Sequence, residues 1–162
     1  MKKVFELEEV VYNRLLVEKS IIVDLKNKYI DDSMLKLIDF NGSINLVNFK
    51  EIKFINCKFD ATINNCNFED CLFIGCTFTG PIDNCLFRDG DFINCKFKTN
   101  LQSTKFISST LVDCVFNIVE LVNTLNIDCA FYRCNFEKYS YDEDLFDWCD
   151  FEKCKGELYG EL

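Results

Sequence analysis

Eleven cysteines stand in this 162-residue chain, and a thiol can serve as a nucleophile, a redox partner or a metal ligand. Their spacing decides which of these is open. Cys57, Cys76, Cys95 and Cys114 recur every 19 residues, and four thiolates can hold zinc if they converge on a tetrahedron. Side chains stacked in parallel about 4.8 Å apart form a flat column instead, and that spacing also exceeds the usual Cβ separation of a disulfide. Cys129 and Cys134, like Cys149 and Cys154, have four residues between them, so they lack the two-residue gap of most zinc knuckles. There is no histidine, which removes the commonest metal ligand and general base. No glycine-rich phosphate loop or nucleophile elbow is present either. The expectation is free thiols, no metal or other cofactor, no catalytic residues and no enzymatic activity.

The cysteines make better sense as packing. Ten of the eleven stand two residues before a phenylalanine, far more often than 17 phenylalanines in 162 residues would give by chance. The large residues are spaced five apart, with a four-residue step at intervals: Ile44, Phe49, Phe54, Phe59; Ile63, Phe68, Phe73, Phe78; Ile82, Phe87, Phe92, Phe97; Leu101, Phe106, Leu111, Phe116. A step of five on a helix turns each anchor through about 140° and never builds one buried stripe. A chain that turns a corner every five residues does, because each short side points one large anchor and the residue two before it to the same inward face. Those partners are uncharged throughout, from Gly42 and Val47 to Ser109 and Cys114. Free cysteine is among the most buried residue types and fits this small inward site.

The pattern resembles the pentapeptide-repeat family, whose unit is five residues with a central Leu or Phe and a small residue two before it. The resemblance is close over 42–136 and looser over 23–156. It implies an all-β fold, a right-handed quadrilateral parallel β-helix. This chain departs from the family in favouring Cys over Ala and in coils of 19 rather than 20 residues. Some members mimic duplex DNA, bind a type II topoisomerase such as gyrase and confer fluoroquinolone resistance, which makes a DNA mimic the alternative function for this chain.

The organisation expected is a single domain over 1–162. Residues 1–22 form a non-repeat N-terminal cap, 23–136 the repeat solenoid with its best register over 42–136, and 137–162 an irregular last coil and C-terminal cap. Lys28 falls on an inward partner site, where a charge does not belong. Asn126 falls on an anchor site and needs partners for its amide.

A formal charge of −9 argues against a nucleic-acid binder, which needs clustered Lys and Arg. The charge is uneven: residues 1–40 and 41–117 carry −1 each, and 118–162 carry −7. Glu69, Asp70, Asp89 and Asp91 read as a solvated face. No apolar run reaches the roughly 18 residues of a membrane span, and early glutamates interrupt any signal peptide, so a cytoplasmic protein is expected. What remains for function is an acidic and aromatic cluster: Tyr139, Tyr141, Asp142, Glu143, Asp144, Asp147, Trp148 and Asp150. Aromatic residues beside charges mark protein interfaces. These residues are the candidate interaction surface of a non-catalytic scaffold with an unknown protein partner, or the seat of a homodimer through the C-terminal end.

Overall fold

The structure is a computed structural model that describes residues 19–117, 121–136 and 146–156, with side chains from Leu25 onward. All regular structure in these residues is β-strand. The coil spanning Thr62–Asn64, Asn67–Glu69, Leu72–Ile74 and Thr77–Phe78 shows the plan. Each of its four strands pairs in parallel with the strand one coil before and the strand one coil after. The result is a four-sided parallel β-solenoid. Its first face carries the anchors Ile44, Ile63, Ile82, Leu101 and Leu121. The second carries Phe49, Phe68, Phe87, Phe106, Asn126 and Phe146. The third carries Leu35, Phe54, Phe73, Phe92, Leu111, Phe131 and Phe151. The fourth carries Phe40, Phe59, Phe78, Phe97, Phe116 and Phe136.

The core is a set of stacked rings. Along a face, phenylalanines lie nearly parallel at 4.6 to 4.9 Å between centroids, as in Phe73–Phe92 and Phe97–Phe116. Within a coil they meet edge to face, as in Phe68–Phe73 at 5.7 Å and 61°. Both geometries suit the ring quadrupole and add about 0.5–1.5 kcal/mol per pair beyond burial. The anchors from Leu35 to Phe116 are all buried. At about 1.5–3 kcal/mol for each large side chain removed from water, they dominate the stability.

The corners are as regular as the faces. Three corners of every coil place the residue two after the anchor at positive φ: Asn65, Asp70 and Gly75 in one coil, Asn84, Asp89 and Asn94 in the next. Asn, Asp and Gly tolerate this left-handed conformation better than other residues. The fourth corner is tighter and accounts for the four-residue step. There the N–H groups of Thr79 and Gly80 both donate to the Phe59 carbonyl at 2.9 Å. A Cβ on Gly80 would stand 2.1 Å from the Ala61 carbonyl oxygen, so only glycine fits at position 80.

Three features differ from the sequence expectations. The coil length changes along the rod: partners are 19 apart up to Phe97 and Phe116, and 20 apart from Leu101 and Leu121 onward. The extra residue enters at the fourth corner, where the step from Phe116 to Leu121 is five. The strand register also reaches back to Lys19, since the strand Lys19–Asp31 pairs in parallel with the strand Ile38–Lys50, whereas the repeat was expected to start at 23. Lys28 is exposed rather than inward, beside Val47 in the first coil. Asn126 is buried on the second face between Phe106 and Phe146. Among the described residues no buried side-chain nitrogen or oxygen lacks a partner.

Candidate functional site

The thiols resolve into packing. On the fourth face Cys57, Cys76, Cys95 and Cys114 continue through Cys134 to Cys154, a column two members longer than the constant period of 19 suggested. Each thiol donates to two carbonyls, one two residues before it and one in the coil below. Cys76, for example, reaches Phe54 O at 3.3 Å and Ile74 O at 3.6 Å. Hydroxyls at the same site do the same work: Thr104 Oγ1 donates to Gln102 O at 3.0 Å, and Ser109 Oγ to Ile107 O at 3.1 Å. The inward partner site therefore takes small or aliphatic uncharged side chains, and where one carries a donor a backbone carbonyl accepts from it. Burial pushes the Cys71 thiol up to about 11, and the neighbouring thiols together with burial push Cys95 upward as well. A protonated, buried thiol is a poor nucleophile. No group of three or more metal-ligating side chains lies together among the described residues.

Of the expected interaction residues, Tyr139, Tyr141, Asp142, Glu143 and Asp144 lie outside the described residues. Asp147, Trp148 and Asp150 straddle one corner of the last described coil. Asp147 points out from the second face, Asp150 from the third, and Trp148 occupies the corner itself. Trp148 is 84% exposed at φ 55°, a conformation that is unusual for a bulky residue. Every other described residue at this corner is small or acidic.

That corner carries a feature the linear sequence hid. Below Trp148, the positive-φ residues of successive coils are Asp128, Ser108, Asp89, Asp70, Glu51 and Asp32. Five carboxylates thus line one edge of the rod, about 4.8 Å apart from coil to coil, and Ser108 Oγ bonds Asp128 at 3.1 Å. The other two left-handed corners are different. One carries Asn27, Leu46, Asn65, Asn84, Ser103 and Asn123, with no charge. The other ends in Asp113, Arg133 and Lys153, where Arg133 Nε donates to Asp113 at 2.6 Å and Lys153 Nζ to the Tyr132 hydroxyl at 3.0 Å. The Arg133 hydrogen bond holds the Asp113 carboxyl below its usual range, and Lys153 and Arg133 lower the Tyr132 phenol. A regional charge count misses the acidic edge because Lys50, Lys53 and Arg88 on the adjoining faces cancel it. The signal was the residue type two after each second-face anchor.

Four-sided coils with a five-residue step, a large inward anchor and a small partner two residues before it make this a cysteine-rich, four-sided parallel β-solenoid, the architecture that the resemblance to pentapeptide-repeat proteins implies. No family model matches the chain, and no curated protein does. Among solved structures it is similar to QnrB1, a plasmid-mediated fluoroquinolone resistance protein. One trypsin-treated form shares 15% identity over 85% of this chain and 84% of that one, with a TM-score of 0.34. The full-length form shares 16% identity over 85% and 81%, with a TM-score of 0.27.

Proposed function

We propose that this chain is a non-catalytic protein-interaction module, and that it grips a basic surface of its partner along the acidic edge that ends at Trp148. The observation that carries this reading is the acidic edge itself. Its five carboxylates share a corner with a strained, exposed Trp148, and aromatic anchors flanked by charge concentrate binding energy. A row of like charges raises the encounter rate with an oppositely charged partner. A reducing compartment such as the cytoplasm suits a protein with eleven free thiols.

The test compares partner capture by the native chain with capture by Trp148→Ala and by a combined Asp70→Asn, Asp89→Asn, Asp128→Asn variant. A basic protein held by the native chain, released by salt and lost from both variants supports the reading. Identical capture by all three disposes of it.

The same edge favours a second reading, a DNA mimic that competes for a topoisomerase's DNA channel. Duplex DNA carries one phosphate per about 1.7 Å of axis, whereas this edge offers at most one carboxylate per coil of about 4.8 Å and none at Ser108, and Lys50 ties up one neighbouring acid, Glu69, at 3.5 Å. The mimic is therefore the weaker reading. A gyrase supercoiling assay with a fluoroquinolone separates the two, since a mimic alters supercoiling or restores it in the presence of drug and a module for another partner leaves it unchanged.

A further inference from the structure

The outward side of the third face differs from that of the other three. Its residue after each anchor forms a column from Lys36 through Ile55, Ile74, Ile93 and Val112 to Tyr132, closing on Glu152, each in register with the next. The four aliphatic members are half-buried. No other outward column of the described residues has four apolar residues in succession. A sheet face turned to water reads polar, and an apolar one reads as covered. β-Branched stacking along a face explains the residue type, but not the charges at the two ends. Those are basic at Lys36 and Lys53 and acidic at Asp150 and Glu152.

We propose that this face packs on the same face of a second copy, with the two rods antiparallel about a twofold axis at Ile93. The column has three rungs on either side of Ile93. Antiparallel packing therefore sets Lys36 against Glu152 of the other copy, Ile55 against Tyr132, Ile74 against Val112, and Ile93 against itself. Such an interface is isologous and closes at two subunits. The strip is roughly 30 Å long, seven rungs at about 4.8 Å, which puts it among small interfaces that form weak, concentration-dependent complexes. In the adjoining column Lys53 lies within a rung of Asp150 of the other copy. Asp91 meets its own copy there, the single like-charge contact of the two columns.

Sedimentation velocity from about 1 μM to about 1 mM tests this, since that range brackets a weak dimer. Expected is a monomer at the low end and a dimer at the high end. Ile93→Lys places two ammonium groups on the axis and abolishes the dimer. Lys36→Glu and Glu152→Lys each weaken it roughly tenfold, because each reversal occurs twice, and the double reversal restores it. Asp91→Asn tightens it. All four positions are on the surface, and an unchanged circular dichroism spectrum confirms that each variant is folded. A monomer throughout overturns the proposal. So does a dimer that ignores Ile93→Lys, which is how an end-to-end dimer through the last coil behaves. Charge reversals without effect, or without mutual rescue, overturn the antiparallel arrangement.

Discussion

The coils between Ile38 and Phe116 and those between Leu121 and Gly156 follow one packing rule with different strictness. In the first stretch every anchor is buried, and the ring stacks on the second and fourth faces run unbroken to Phe106 and Phe116. In the second, Leu121, Phe146 and Phe151 are only partly buried, Asn126 interrupts the second-face stack, and Gly156 takes the place of a ring above Phe136. The thiols follow suit: those from Cys57 to Cys134 are buried, and Cys149 and Cys154 are half-exposed. A coil in the middle of a solenoid is held by neighbours on both sides, and one near its end by fewer contacts. The relaxed end is also where Trp148 and most of the excess acid lie.

The largest test of this difference is ring removal. Phe73→Ala empties a site stacked between Phe54 and Phe92 and is expected to cost about 3–5 kcal/mol in urea unfolding. Phe151→Ala, half-exposed in the last described coil, is expected to cost about 1–2 kcal/mol. Equal losses would mean that the end is packed as tightly as the middle.

Next in size is the response to alkali. Cys71 has a folded pKa of about 11 against an ordinary 9.0. In that window the unfolded chain loses the thiol proton while the folded chain keeps it, so folding takes up a proton and stability falls as pH rises from 9.0 to about 11. A shift of this size corresponds to about 3 kcal/mol. Replacing Cys71 by Ser should flatten the pH dependence of the unfolding free energy by that order, and an unchanged slope would contradict a buried, protonated thiol.

A smaller effect sharpens the comparison from the other side. Asn126→Phe restores the second-face stack between Phe106 and Phe146, fills the gap lined by Thr124, Phe131 and Phe136, and is expected to add about 1 kcal/mol. Slower hydrogen exchange over 121–136 would show it, and faster exchange would show that the amide's own partners matter more than the missing ring. The smallest expected effect is Arg133→Ala. It removes an exposed ion pair with Asp113 and should change the melting midpoint by an amount equivalent to less than about 1 kcal/mol.

The inward half of the structure was legible from the chain. The five-residue step, the four-residue correction and the small partner two before each anchor named the buried residues and the four faces, because burial permits few residue types and repeats that demand in every coil. The Cys-x-Phe pairs first read as possible chemistry and then as packing, and Thr104 and Ser109 show why: a hydroxyl in the same place donates to the same carbonyl two residues before it. The outward half was not legible. The five-residue step from Phe116 to Leu121 was visible in the sequence, but only the pairing across coils showed that it lengthens the later coils from 19 residues to 20. The acidic edge from Asp32 to Asp128 and the apolar column from Ile55 to Val112 consist of residues 19 or 20 apart that packing barely constrains. The sequence determined which side chains point inward. Stacking coil on coil decided which outward side chains become neighbours, because only the register between coils brings such distant residues about 4.8 Å apart.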